Sequence, residues 1–129
     1  MTGIRWILAI GLAAFFVFMG VQKFGAENII FATIAERSGI SLFEPVIRIA
    51  TGIGELLAAV LLVWPKFRRL GASLALTILF AAMAFHLSPL LGINVEGVGN
   101  SLFFMAMAAT VITISILFVE MQAAKENKN

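Results

Sequence analysis

Cysteine and tyrosine are absent from the 129 residues, and histidine occurs once. Without cysteine there is no disulfide, no thiol nucleophile and no thiolate metal site. A lone histidine argues against a histidine-and-carboxylate metal cage within one chain, because such sites collect three or four ligands. Any redox chemistry therefore has to be brought by a bound cofactor or a partner, and catalysis by the isolated chain is not expected. Charged residues are also scarce, at 12%, about half the share of a soluble domain. The formal net charge of +2 gives no reason to expect a nucleic-acid partner. In so apolar a chain the basic residues speak first about orientation in a membrane.

What fills the chain instead is hydrocarbon. Hydrophobic residues make up 61% of it and the mean hydropathy is +1.05, where soluble domains run at about 45–50% apolar. This composition predicts an integral membrane protein, all-α, with one domain over residues 1–129 and no room for a sizeable soluble part. Four stretches are long enough to cross a bilayer, which takes roughly 20 apolar residues: residues 4–24, 45–64, 70–87 and 100–121. A signal peptide is the competing reading of the first. Its apolar run is long for one, and Lys23 stands where a small-residue cleavage site would be. Ala9, Ala13, Phe16, Gly20 and Lys23 share one face of this helix, a small-residue stripe suited to close packing. On the third span Gly71, Ala75, Ile78, Ala82 and His86 do the same.

The longest connection runs from Gly25 to Glu44. Ile29, Ile30, Thr33, Ile34 and Arg37 recur at helical spacing, with Asn28 placed to cap and Gly39 to stop a helix. Two readings stay open: a short amphipathic helix at the surface, folded over the mouth of the bundle, or an ordered loop. Lys66-Phe67-Arg68-Arg69 reads as a short basic turn, a loop containing Gly92 and Asn94 runs to Glu96, and a polar tail ends the chain. Arg5, Lys66, Arg68, Arg69, Lys125 and Lys128 fall on the termini and on the second turn, which predicts cytoplasmic termini.

Within this frame the second span, PVIRIATGIGELLAAVLLVWP, is the unusual one. It carries Arg48 and Glu55, and each mid-membrane charge costs about 2.5–3.5 kcal/mol on insertion scales. Seven residues apart, they lie on one helix face with Thr51, Gly52 and Ala59. With the termini on one side, Lys23, Arg48, His86 and Asn100 all fall at the opposite, outer end, joined by Gln22. Glu55 lies about 15 Å below the start of its helix at 1.5 Å per residue. The expectation is an outer-half polar pocket with Glu55 at its floor and Gln22, Lys23, Arg48, His86 and Asn100 as ligand-binding residues. Plainer readings stand beside it. Lys23 and Arg48 can snorkel to the surface, Arg48 can pair with Glu44, and His86 can be a satisfied helix-end histidine. Asn100 can be an N-cap. Glu55 cannot reach the surface; it is ion-paired, with Arg48 or Lys23, or protonated.

The Gly20-Val21-Gln22-Lys23 end of the first span, the Arg48…Gly52-Ile53-Gly54-Glu55 signature and the Phe85-His86-Leu87 end of the third resemble, over nearly the whole chain, the DoxX-like family of small four-span bacterial membrane proteins. The resemblance implies a four-helix bundle in the bacterial inner membrane. The family takes its name from a subunit associated with a terminal quinol oxidase or thiosulfate:quinone oxidoreductase. It therefore implies a non-catalytic membrane subunit that holds a quinone or similar amphiphile, or a bound lipid, beside a redox-enzyme partner. The cysteines of some redox relatives are missing here, which argues against direct thiol or sulfur chemistry. Two further readings follow from the residues: a proton-coupled binder or carrier of a small molecule or lipid, for which a homodimer is expected because four helices are few, and a structural assembly factor.

Overall fold

In the computed structural model, which describes residues 2–25, 28–95 and 99–128, five α-helices follow one another. They are α1 (Thr2–Gln22), α2 (Ile29–Ser38), α3 (Val46–Val63), α4 (Arg68–His86) and α5 (Ser101–Lys128). The described residues contain no β-strand; one isolated bridge joins Val95 to Gly99. Ala26, Glu27 and Glu96, read above as parts of connections, lie outside the described residues.

The protein is an all-α multi-pass membrane protein. Four helical stretches, Gly3–Gln22, Ser41–Val63, Pro65–His86 and Ser101–Glu126, are long and apolar enough to cross a membrane. Their outward faces carry large apolar side chains, among them Ile7, Phe18, Ile53, Val60, Leu70, Phe80, Val111 and Phe118, all more than half exposed. Water would not tolerate such a surface, whereas lipid tails match it. The inward faces hold small residues and charges. Without a hydrophobic driving force between helices in lipid, close backbone approach through small residues has to supply the packing.

Helix α1 packs mainly on α3, α3 on α4 and α4 on α5, while α5 closes back on α1 over a shorter contact. The centre is built from Leu12, Ala13, Phe16, Ala58, Ala59, Leu62, Ala72, Ala75, Leu79, Ala106, Ala109 and Ile116. Thr110 and Thr113 sit in the same interior, and each donates its hydroxyl to the carbonyl four residues back at 2.7 Å. Ala9, Ala13, Phe16, Gly20 and Lys23 are all buried, so the whole predicted stripe of α1 faces inward.

Two glycines set how close the helices come. A Cβ on Gly71 would stand 2.8 Å from Leu61 Cβ and from Leu62 N, so α4 leaves its turn pressed against the end of α3. A Cβ on Gly52 would stand 2.9 Å from Lys23 Cβ and 3.1 Å from a ring carbon of Phe24. The α1–α3 crossing thus depends on the absence of a side chain at residue 52.

Helix α2 resolves the open reading of the Gly25–Glu44 connection in favour of a helix. Asn28 accepts from the N–H groups of Ile30 and Phe31, and Gly39 ends the helix in the left-handed region at φ 75°, as helix caps require. Ile34 packs on Leu91 and Val95, with Ile30, Phe43 and Phe85 around them. Arg37 donates to the carbonyls of Pro89 and Leu91. Together α2 and the loop after α4 cover the end of the bundle opposite the chain termini.

Two boundaries differ from the sequence expectation. Arg68 and Arg69 belong to α4, and the turn before it is a single 3₁₀ turn at Pro65–Phe67. The polar tail continues α5 to Lys128. Gln122-Ala123-Ala124-Lys125-Glu126 has no Gly or Pro and is made of strong helix formers, and Ala123 is buried.

Candidate functional site

At the α2-covered end, a line of polar groups descends into the bundle. Glu44 is its outermost member. Arg48, 2% exposed, sits in the first turn of α3 and donates Nε to Glu44 Oε1 at 2.6 Å. Its Nη1 donates to the carbonyls of Lys23 at 2.5 Å and Gly25 at 2.7 Å. These carbonyls follow the end of α1, where backbone acceptors have no partner within the helix. Arg48 therefore ties the end of α1 to the start of α3.

Lys23 carries the line inward. Its chain turns back along α1, donating to Met19 O at 3.3 Å, and its Nζ stands 2.6 Å from Glu55 Oε1. Both residues are buried. The geometry follows from helix chirality. Side chains lean toward the N-terminus of their own helix, and α1 and α3 run antiparallel. Lys23 thus leans down into the bundle while Glu55, about 14 Å into α3 at 1.5 Å per residue, leans up. The close approach at Gly52 brings the two within reach. Among the described residues Lys23 is the one charged partner of Glu55.

The other expected site residues lie around this line rather than on it. His86 is buried at the end of α4. Its Nδ1 is 2.8 Å from Gly92 O, and since a carbonyl only accepts, Nδ1 carries the proton. Its ring meets Phe103 edge-on at 5.7 Å. Among the described residues no hydrogen bond or ion pair joins His86 to Lys23 or Glu55. Gln22 and Asn100 are exposed; Asn100 precedes α5 and its carbonyl accepts from Phe104 N. Of the sequence-based set, then, the structure brings Lys23, Arg48 and Glu55 together and leaves His86, Gln22 and Asn100 apart. Glu55 borders neither of two surface grooves, one of about 170 Å³ between α1 and α5 and one of about 350 Å³ beside Ala84 and Phe85. Directly above Glu55, Lys23 and Phe24 close on Gly52.

The opposite end holds a second charged cluster that the sequence reading did not assemble. Arg5 Nε and Nη2 grip the Glu120 carboxylate at 2.6 and 3.0 Å. Arg68, 1% exposed, places Nη1 3.7 Å from Glu120 Oε2, donates Nε to Leu62 O at 2.8 Å and lies under the Trp6 ring at 4.5 Å. The signal was present: Glu120 falls inside the fourth apolar run, and an embedded carboxylate invites the question already asked of Glu55.

No three histidine, aspartate or glutamate side chains among the described residues gather as metal ligands. In comparison with known proteins, no family model matches the chain, and no curated protein or solved structure matches it significantly.

Proposed function

We propose that this chain is a non-catalytic membrane subunit, of the DoxX-like kind its motifs resemble, that holds the polar head of a quinone or similar amphiphile at the Lys23–Glu55 pair beside a redox partner. The observation that carries the reading is the state of that pair: a buried carboxylate deep in α3 whose one charged partner among the described residues is a buried lysine. A buried ion pair is weak support for stability, since desolvation offsets much of the attraction. Its presence deep in a membrane helix therefore favours a use beyond packing. The pair sets a donor beside an acceptor. A quinone carbonyl would accept from the Lys23 ammonium, and a quinol hydroxyl would donate to the Glu55 carboxylate. Proton exchange with Glu55 would accompany the change between the two forms, while electrons would come from the partner, because no residue of the chain is suited to carry them. On this reading the protein sits in the bacterial inner membrane with its termini in the cytoplasm, as the distribution of basic residues favours.

The test is purification of the full chain in a mild detergent from a quinone-containing membrane, followed by native mass spectrometry and solvent extraction. Quinone retained by the natural chain and lost from a folded Glu55→Gln variant is the expected result. Its absence from the folded natural chain, or equal retention by the variant, overturns the proposal.

A second reading is favoured by the bonds of Arg48 and His86, which hold backbone carbonyls in the connections that follow α1 and α4. The polar line would then be an assembly device only. In that case the function of Glu55→Gln would fall in proportion to its stability, with no separate defect.

A further inference from the structure

The cluster at the terminal end has features that a structural clasp does not need. Arg68 Nη2 is fully buried and has no hydrogen-bond partner among the described residues, although it belongs to a planar fork whose other nitrogens face Leu62 O at 2.8 Å and the Glu120 carboxylate at 3.7 Å. An unpaired buried donor on a charged group is costly, more so than a neutral one. Arg5, whose side chain is 26% exposed, uses Nε and Nη2 on Glu120, and its Nη1 has no hydrogen bond among the described residues. Two guanidinium groups share the Glu120 carboxylate, and Glu126 also acts on Arg5 from farther off. Exposed Lys66 and Arg69 flank it. Trp6 and Trp64, 38% and 53% exposed, stand at the same end, where tryptophan marks the level of lipid headgroups.

Below the cluster the α1–α5 contact opens. A wholly apolar groove of about 170 Å³ runs along Gly11, Phe15, Met105, Ala108 and Ile112, and a Cβ on Gly11 would meet nothing within 4 Å. Gly11 lies about 9 Å below Arg5, and Ile112 about 12 Å below Glu120, at 1.5 Å per residue. The Arg5–Glu120 pair and the apolar groove thus lie at successive depths along α1 and α5, with the spacing of a headgroup phosphate and the chain beneath it.

We infer that the α1–α5 crevice binds one anionic membrane phospholipid, its acyl chain in the Gly11–Ile112 groove and its phosphodiester on the guanidinium edge formed by Arg5 and Arg68. The planar arginine fork matches phosphate oxygens, and basic pockets between membrane helices select anionic headgroups. A zwitterionic lipid would bring its own cation against two guanidinium groups. This site is separate from the Lys23–Glu55 pair and does not depend on a quinone.

The experiment is delipidation of the full chain in detergent, then titration with phosphatidylglycerol or phosphatidylcholine of equal chain length, or with inorganic phosphate. Native mass spectrometry and thermal unfolding are the readouts. Phosphatidylglycerol should stay bound and raise Tm, and the other two should not. Arg68→Lys keeps the charge but loses the fork, and should weaken phosphatidylglycerol binding about tenfold, as expected for one charge-assisted hydrogen bond. Gly11→Leu fills the groove without touching the cluster, and should weaken it as well; it keeps the test decisive if Arg68→Lys does not fold. Equal response to the two lipids, a full response to inorganic phosphate alone, or undiminished binding by folded Gly11→Leu overturns the proposal.

Discussion

Lys23 Nζ lies 2.6 Å from Glu55 Oε1 across the α1–α3 crossing, and both side chains are shut away from solvent. Each charge there relies on the other. Removing one partner of a buried pair leaves the survivor uncompensated and costs about 3–5 kcal/mol, whereas replacing both with apolar groups of similar size is close to neutral. Glu55→Gln and Lys23→Met should each lower Tm in detergent, and the Lys23→Met/Glu55→Leu double variant should regain most of the loss. A double-mutant cycle on thermal unfolding measures the coupling. Simple additivity of the single losses would show that the pair does not act as a unit.

Gly52 makes this pairing geometrically accessible. An added Cβ would stand 2.9 Å from Lys23 Cβ and 3.1 Å from the Phe24 ring, so the helices must part or Lys23 must shift. Gly52→Ala should cost about 1–3 kcal/mol, the usual range for overpacking. Gly11→Ala, which meets open space, is the control and should be silent on stability. Paired unfolding curves in one detergent check the contrast.

The features of this arrangement that a sequence shows are those set by periodicity. The stripe from Ala9 to Lys23 turned inward because residues at helical spacing share a face whatever they touch. Phe16 and Phe103 are buried while Phe104 faces outward, as the same spacing requires. The choice of partners was not legible in that way. Arg48 and Glu55 share a face of α3, which invited a pair, but side chains lean toward the helix start. Arg48 accordingly leans away from Glu55 to Glu44 and to carbonyls beyond the end of α1. Nor does spacing reveal that Arg5 meets Glu120, 115 residues away; helices α1 and α5 have to be placed side by side first. The α2 caps, by contrast, are local chemistry and could be read directly from Asn28 and Gly39.

That local chemistry yields a local prediction. Asn28 accepts from Ile30 N and Phe31 N, and replacing such a cap by alanine costs about 1 kcal/mol. Asn28→Ala should speed amide hydrogen exchange in residues 30–34 and leave the core of α5 unchanged. Uniformly faster exchange would mean that α2 is cooperative with the whole bundle rather than a cover on its end.

At the terminal end, Glu120 is the one carboxylate shared by Arg5 and Arg68, and this asymmetry ranks the variants. Glu120→Gln leaves Arg68, 1% exposed, without its counter-charge, and Arg5 with only the more distant Glu126. Arg5→Gln removes a residue that is a quarter exposed, and Glu120 keeps Arg68 close by. An uncompensated buried charge costs about 3–5 kcal/mol, while an exposed partner contributes roughly 0–1 kcal/mol. Glu120→Gln should therefore destabilise the bundle more than Arg5→Gln, and Arg68→Gln should fall between them because it frees Leu62 O but also removes the unpaired Nη2. Thermal unfolding of the three single variants in the same detergent gives the order directly. A finding that Arg5→Gln is the most damaging would mean that the α1–α5 clasp, and not the buried charge balance around Arg68, holds this end together.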